Sequence, residues 1–378
     1  MRLLGPAAAT AAGTERRERE SSMREGRRGV RGRRWVAGGI AAALTLGIAG
    51  CGADDGGSAG AGEGERVRIA FFGLASENAY TQYAYKGAEA EAKMQNAELS
   101  FFDGKLDGPT QIKQIQDAIT SGRYDGFVIM PNDQSGVVPV VEQAIGQGIG
   151  VTALQFPIGS DPTTAEPQVE GLAGSVIEDV IAGARITGEG INAMCKDRTP
   201  CKVGVLWGSR KVTWDGPAKR DTLRKTLDPN VEIVAESDGG FLQAPGEKAT
   251  ADMLQAHPDL DVLATPSGDQ MTLGGERAIK AASKQIGLAD RPKGAVAIIG
   301  YGAAGAGVEK VRSGDWYQSY ALVPQTMARR AVEIAVAVAR GSEEKGIAVV
   351  QTEISPIGDN VTREALEKHP DFKAEWEG

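Results

Sequence analysis

The sequence predicts an α/β protein made of two lobes, each a doubly wound, mostly parallel sheet, and three observations support this. From residue 66 onward the hydrophobic pattern alternates between the period of two expected for strands and the 3.6 expected for helices. The predicted strands are short and apolar throughout, as in parallel sheets covered by helices on both faces. The chain of 378 residues is also long enough for two domains of ordinary size.

The first series of elements lies between residues 66 and 172. In the second predicted helix Ile112, Ile115 and Ile119 fall on one face, the pattern of a helix that covers a sheet. The strands are predicted at 67–72, 99–102, 126–130 and 149–154, and the helices at 79–95, 109–120 and 137–146.

The second series lies between residues 173 and 322 and repeats the alternation, followed by one more amphipathic helix at 326–340. Its strands are again short and apolar, which indicates a second covered sheet. The strands are predicted at 202–206, 231–235, 261–264, 295–299 and 317–323, and the helices at 180–194, 217–227, 245–256, 270–284 and 304–311.

Charge and residue content exclude several classes of function. Residues 1–50 contain ten Arg and four acids, whereas the rest of the chain carries 32 basic and 46 acidic residues. An acidic body is unsuited to nucleic acid, because that binding depends on basic residues at phosphates. With two histidines and three cysteines, His-rich metal sites and imidazole-based triads are not expected. We therefore predict no metal, no cofactor, no catalytic residues and no enzyme activity.

The first fifty residues are typical of a bacterial lipoprotein signal. An arginine-rich segment at 24–34 precedes an apolar run at 36–49, shorter than the roughly 20 residues of a membrane-spanning helix, so a secretory signal peptide is indicated. The run ends in Ile-Ala-Gly-Cys51, which resembles the lipobox whose cysteine is lipidated. We expect a signal peptide at 1–50, with Met1 or Met23 as the start. We also expect a lipid anchor at Cys51 on the extracytoplasmic side of the cell membrane.

Two shorter features follow from composition and spacing. Residues 51–65 hold the lipidated cysteine and a Gly-, Ala- and acid-rich stretch that cannot pack, so a flexible tether is expected. Cys195 and Cys201 lie six residues apart around a turn. In an exported protein this spacing favours a disulfide that joins a helix end to the next strand.

Ligands of doubly wound sheets bind beyond the carboxyl ends of the strands, and this chain places aromatic and polar residues at those positions. Aromatic residues are 5% of the chain, yet several fall together at this edge. Flat apolar faces with a few polar groups are typical of small-molecule sites. We predict a ligand-binding cleft lined by Asn78, Tyr80, Gln155, Phe156, Trp207, Trp214, Asp215, Phe241, Ser267, Asp269 and Tyr301.

One motif at this edge suggests a different ligand and is rejected. The segment Gly-Tyr-Gly-Ala-Ala-Gly at 300–305 matches the dinucleotide-binding fingerprint letter for letter. That fingerprint also expects an acidic residue at the end of the next strand. Here the next strand ends in Ala-Leu-Val-Pro at 321–324, so we do not predict a nucleotide cofactor.

Four segments together resemble the type I periplasmic binding proteins, especially the ribose- and galactose-binding branch that serves sugar importers. They are the segments at 78–80, 125–133, 256–261 and 269–274, with the spacing of the last two the most specific. The resemblance covers nearly all of residues 66–365. It implies two Rossmann-like lobes that close on a ligand like a hinged clamp.

The resemblance also implies how the chain passes between the lobes. Three hinge crossings are expected near 170–175, 322–325 and 342–350. The N-terminal lobe would then contain 66–172 plus 323–345, and the C-terminal lobe 173–322 plus 346–378.

The chain departs from the sugar-binding pattern at several positions. It has Gln155-Phe156 where sugar binders of this branch typically place Asp-Arg, Gly-Asp269 where they have Asn-Asp, and Leu322 in place of a hinge glutamine. Their Gly-Phe-Asp becomes Gly-Tyr301-Gly. Carboxylates and amides hydrogen-bond sugar hydroxyls, and each unpaired buried group would cost about 1–3 kcal/mol. The expected ligand is therefore a sugar or another small polar or aromatic solute, and a less hydroxylated or partly aromatic ligand fits the cleft at least as well as a sugar.

The preferred hypothesis is a lipid-anchored, monomeric solute-binding protein that delivers a small molecule to the permease of an ABC importer. The alternative is a sensor in which the same clamp reports its ligand to a membrane receptor or kinase. The sequence does not separate these two hypotheses, because both require the same cleft and the same anchor.

Overall fold

The computed structural model describes residues 66–377, which form two six-stranded sheets with helices on both faces of each. The predicted signal peptide, lipidated Cys51 and tether fall in 1–65, outside the described residues. Between residues 66 and 377, no helix is both long enough and apolar enough to span a bilayer.

The first sheet forms what we call the first lobe. All of its strands run parallel, in the order β11-β5-β4-β3-β1-β2. Helices α1 and α9 pack on one face of it and α2 and α3 on the other. Its elements are β1 (Val67–Gly73), α1 (Ala79–Met94), β2 (Ala97–Asp103), α2 (Gly108–Ser121), β3 (Gly126–Ile129), α3 (Val138–Gly146), β4 (Gly150–Gln155), β5 (Gly174–Ile177), α9 (Pro324–Ala339) and β11 (Ile347–Val350).

The second sheet forms the second lobe, in the order β12-β10-β9-β8-β6-β7, with only β12 antiparallel among its described pairs. Helices α4 and α5 pack on one face of it, and α6 and α7 on the other. Its elements are α4 (Val180–Cys195), β6 (Cys201–Trp207), a 3₁₀ turn (Thr213–Asp215), α5 (Pro217–Thr226), β7 (Val231–Asp238), α6 (Gln243–Ala256), β8 (Val262–Ala264), α7 (Asp269–Ala281), β9 (Ala297–Gly302), α8 (Gly305–Ser313), β10 (Gln318–Ala321), α10 (Gln351–Ile354), β12 (Asn360–Thr362) and α11 (Arg363–Lys368).

Local sequence explains where the helices begin and end. Helix α2 begins after Asp107, whose carboxylate accepts a hydrogen bond from the backbone N–H of Thr110 at 2.9 Å. It ends at Gly122, which has φ +60° and so takes the left-handed conformation that glycine adopts without strain. Asp179 caps α4 in the same way through the N–H groups of Ile181 and Ala182.

The chain passes between the sheets three times, and two passages differ from the predicted positions. The first lies at 178–179, between β5 and α4, and the last at 351–359, between β11 and β12. The middle passage follows β10 at 322–323. The predicted lobe boundaries at 172/173 and 345/346 therefore fall before β5 and β11, although both strands belong to the first sheet. Neither β5 nor β11 was recognised as a strand in the sequence.

A disulfide joins Cys195 at the end of α4 to Cys201 at the start of β6. Both cysteines are fully buried in the core beneath α4 and α5. The bond therefore ties this helix to β6, the strand next to the edge strand β7 in the second sheet. The other end of β6 leads into a loop that lines part of the cleft.

Candidate functional site

A cavity of about 590 Å³ lies between the lobes, within the range of about 300–1,000 Å³ typical of ligand sites. Its walls come from the loops that follow the carboxyl ends of strands in both sheets. First-lobe residues are Leu74, Glu77, Asn78, Ala79, Tyr80, Leu106, Gln155, Phe156 and Glu178. Second-lobe residues are Trp214, Asp215, Lys219, Gly240, Phe241, Leu242, Ser267, Gly268, Asp269, Gln270 and Tyr301, with Leu322 and Trp376 completing the lining.

The cavity brings together every residue that the sequence analysis assigned to the cleft except Trp207. Contrary to that prediction, Trp207 is fully buried in the core beneath α4 and α5. Its indole N–H donates to Glu236 at 3.0 Å. Trp207 is the last residue of β6, and the alternation of side chains along a strand turns it toward the helices instead of the cleft.

Asp215 organises the loop that follows β6. Its carboxylate is fully buried and accepts hydrogen bonds from the backbone N–H groups of Gly208 at 3.0 Å and Ser209 at 3.1 Å. It also accepts from Lys219 Nζ at 3.0 Å and from Ser267 Oγ at 2.8 Å. Because four donors occupy this carboxylate, Asp215 positions the loop and the two side chains, and offers little free acceptor capacity to a ligand.

Asp269 has the same role in the loop that follows β9. Its buried carboxylate accepts from the backbone N–H of Tyr301 at 3.1 Å and of Ala304 at 2.9 Å, and from Ser319 Oγ at 3.0 Å. Burial raises the pKa of Asp269 to about 6, although these donors oppose the rise. This carboxylate fixes the turn that points Tyr301 into the cavity.

Tyr301, Glu178 and Gln155 form a buried polar chain that connects the lobes. The Tyr301 hydroxyl donates to Glu178 Oε1 at 2.5 Å, and Gln155 Nε2 donates to Glu178 Oε2 at 3.4 Å. Burial raises the pKa of Glu178, whereas the positive charge of Lys219 lowers it. Lys219 Nζ lies 4.6 Å from the centre of the Tyr301 ring.

Gln155 carries an unused acceptor within this chain. Its Oε1 is buried and has no hydrogen-bond partner among residues 66–377. A buried polar atom without a partner costs about 1–3 kcal/mol. Because Gln155 lines the cavity, a donor on a bound molecule would satisfy this oxygen.

The aromatic residues of the cleft have two roles. Some join one lobe to the other, and the others form walls of the cavity. Phe156 of the first lobe stacks on Trp214 of the second, with ring centres 4.3 Å apart and planes 10° from parallel. The Tyr80 hydroxyl donates to Met327 Sδ at 3.3 Å, so its proton is already used within the protein. Asn78 caps α1 through Oδ1, which accepts from the N–H of Thr81 at 2.9 Å.

Three cavity residues other than glycine adopt left-handed backbone conformations. These are Leu106 with φ +52°, Gln155 with φ +69° and Phe241 with φ +60°. Each such residue costs of order 1–3 kcal/mol, and such residues concentrate at functional sites. All three residues with strained backbones therefore line the same cavity.

Sequence reasoning missed Glu178, Lys219 and Trp376. Glu178 follows β5, a strand that was not recognised, so its position at a strand end was hidden. Lys219 lies four residues after Asp215, and this Asp-x-x-x-Lys spacing was a signal that a helix would bring the pair together. Trp376 lies in a tail with no periodic pattern, and only the tertiary structure brings it to the cavity.

The chain is similar to a known protein family and to individual proteins with assigned ligands. A family described as periplasmic binding protein domain matches residues 69–343. A D-ribose/D-allose-binding protein of Pseudomonas aeruginosa is 27% identical over 242 residues, covering 63% of this chain and 71% of that protein. A xylitol-binding protein of Mycolicibacterium smegmatis is 23% identical over 277 residues, covering 73% and 72%. These relatives are binding proteins, which confirms the prediction that this chain is not an enzyme.

A solved structure agrees with the fold. An ABC transporter solute binding protein from Mycobacterium smegmatis, with bound glycerol, gives a TM-score of 0.67 at 22% identity. The match covers 83% of this chain and 100% of that one. At this identity the likeness concerns the fold alone, and it confirms the predicted architecture of two α/β lobes.

The buried pair of Asp215 and Lys219 gives a first prediction. Lys219→Met removes the cation and leaves a buried carboxylate, so the free energy of unfolding should fall by about 3 kcal/mol. Lys225→Met, an exposed site on the same helix, is the matched control and should change it by less than about 0.5 kcal/mol. Urea denaturation followed by circular dichroism measures both. Equal losses in the two variants would contradict the assigned role of Lys219.

The raised pKa of Asp269 gives a second prediction. Its folded-state value of about 6 lies above the ordinary 3.8, so the folded state holds the proton more tightly. The resulting stability is fully present below about pH 3.8 and is lost as the pH rises through about 6, by up to about 3 kcal/mol. The stability of the protein relative to Asp269→Asn should therefore decrease between pH 4 and pH 7 in denaturant titrations. A difference that stays constant or increases over this range would refute the prediction.

Proposed function

Because the chain belongs to the periplasmic binding protein family, in its type I, ribose-binding-like branch, we propose that it is the solute-binding component of an ABC importer. Its ligand is a sugar or a polyol. The observation that carries this proposal is the cavity of about 590 Å³ between the carboxyl ends of two parallel sheets. The relatives named for ribose or allose and for xylitol support this class of ligand.

The polar groups of the cavity suit a ligand rich in hydroxyl groups. Gln155 Oε1 lacks a donor, and the Glu178 carboxylate accepts from Tyr301 and Gln155 while keeping further acceptor capacity. A hydroxyl can donate to either oxygen, whereas an anionic ligand would meet the charge of Glu178. Sugar rings also present C–H faces, and the rings of Tyr80 and Phe241 offer flat apolar surfaces to them.

The remaining predicted residues have supporting roles in this proposal. Asp215 and Asp269 hold loops, and Ser267 donates to Asp215. Phe156 and Trp214 stack on one another across the cleft. These five residues therefore hold in place the cavity wall against which the ligand packs.

Ligand binding works by closure of the two lobes. The stack of Phe156 on Trp214 and the hydrogen bond from Tyr301 to Glu178 both join one lobe to the other. A ligand that bridges the same surfaces binds the closed arrangement more tightly than the open one, and so shifts the population toward it. The permease can then distinguish the loaded protein from the empty one by the relative position of the lobes.

The protein acts outside the cytoplasm as a lipid-anchored monomer. The signal at 1–50 and the cysteine at 51 support export and lipidation. Each buried methylene of a lipid chain contributes about 0.8 kcal/mol to membrane binding. The tether at 52–65 then lets the two lobes reach a permease in the same membrane.

The ligand class is tested by isothermal titration calorimetry of the full chain with D-ribose, D-allose and xylitol. We expect at least one to bind, and Gln155→Met to weaken that binding at least tenfold, because a hydroxyl loses its acceptor. Gln143→Met makes the same chemical change at an exposed position and should leave the Kd within twofold. If none of the three compounds binds, the sugar or polyol assignment is wrong.

The anchor is tested separately. Cys51→Ser removes the thiol that would be acylated, so the protein should move from the membrane fraction to the soluble fraction when a bacterial host expresses it. Immunoblots of both fractions measure this. Cys195→Ser, which removes one sulfur of the buried disulfide, controls for cysteine loss in general. An unchanged distribution of Cys51→Ser would contradict the lipid anchor.

A further inference from the structure

The C-terminal tail was expected to belong to the second lobe, but its last residues bind both lobes. Glu375 caps α9 of the first lobe. Its carboxylate accepts from the backbone N–H groups of Gln325 at 2.8 Å and Thr326 at 3.0 Å, and also from the Thr326 hydroxyl. A negative charge at the N-terminus of a helix is stabilising, because the free N–H groups of the first turn point at it.

The next residue, Trp376, is held by the second lobe. Its indole N–H donates to the carbonyl oxygen of Gly302 at 2.8 Å, and its own carbonyl accepts from the N–H of Gly305 at 2.8 Å. Its ring meets the Tyr80 ring of the first lobe edge to face, with centres 5.6 Å apart. Two consecutive residues therefore connect the lobes.

This connection lies beside the middle hinge passage. The N–H of Leu322, the first residue of that passage, donates to the same Gly302 oxygen that Trp376 uses. The tail is thus a further link between the lobes, in addition to the three passages of the chain and to the contacts of Phe156 with Trp214 and of Tyr301 with Glu178.

Trp376 also forms part of the cavity wall. It lines the cavity with 7% of its surface exposed, and Tyr80, Tyr301 and Leu322 line the same cavity. Tryptophan has the largest side chain in proteins and buries about 150–250 Å². Its removal would leave space beside the ligand that the backbone of the hinge cannot fill.

We propose that Trp376 contacts the ligand and limits the size of molecule that the cleft accepts, and that Glu375 is a positioning residue that holds it there. This inference rests on the proposed function, because it concerns the same cavity. The class of ligand affected is a compact sugar or polyol, which depends on a close wall for its contacts.

The test of ligand contact uses the full chain and calorimetry with D-ribose, xylitol and the larger phenyl β-D-riboside. Trp376→Ala should weaken the tighter-binding compact probe about tenfold, the effect of losing one central aromatic contact, and should shift preference toward the phenyl riboside. Trp376→Phe keeps a ring in the wall and should recover most of the affinity. If the wild-type protein binds a probe and Trp376→Ala binds it within twofold, Trp376 is not a ligand contact.

The positioning role is tested without ligand by hydrogen exchange. Glu375→Gln weakens the cap, so the amides of Gln325 and Thr326 should exchange faster, and the compact probe should bind more weakly. Glu367→Gln, an exposed change on α11, is the matched control and should alter neither. Unchanged exchange in Glu375→Gln would overturn the link between the lobes whether or not any probe binds. If no probe binds the wild-type protein, the proposed function fails and the assignment of Trp376 to ligand fails with it.

Discussion

The cavity depends on two carboxylates buried in the second lobe. Asp215 and Asp269 are both fully removed from water, and a buried charge is tolerated only when donors surround it. Both obtain those donors largely from backbone N–H groups at the end of β9 and in the loops that follow β6 and β9. Each carboxylate therefore dictates the path of a loop. The positions of Lys219 and Tyr301 relative to the first lobe follow from these two paths.

The first lobe contributes one carboxylate and one aromatic ring to its contacts with the second lobe. Glu178 accepts from Tyr301 across the cleft, and Phe156 stacks on Trp214. One contact is polar and buried, and the other is apolar and partly exposed, so the cleft contains two chemically different contacts between the lobes. The C-terminal tail adds Trp376 beside the hinge. The cavity therefore presents acceptors for hydroxyl groups near the hinge and aromatic faces around them.

Most of the cleft residues could be predicted because a parallel sheet brings the carboxyl ends of its strands to one edge. A residue just after a recognised strand, such as Phe156 or Ser267, was therefore placed correctly without coordinates. The roles of these residues were harder to predict than their positions. Asp215 and Asp269 were assigned to the ligand, yet their oxygens are occupied by the protein's own donors. Trp207, like Trp214, was assigned to the cleft because it follows the strand predicted at 202–206. In the structure β6 extends to Trp207, and the alternation of side chains along the strand turns this residue toward the helices.

Local periodicity and the geometry of parallel sheets were enough to predict the alternation of strands and helices, the two doubly wound lobes and the edge at which the cavity lies. The partners of short segments, by contrast, depend on tertiary packing. Strands β5 and β11 are four residues each, and only pairing with β4 and with each other places them in the first sheet. The same holds for Trp376, whose contacts lie with residues distant in sequence, because no local pattern encodes a contact between segments that only the folded chain brings together.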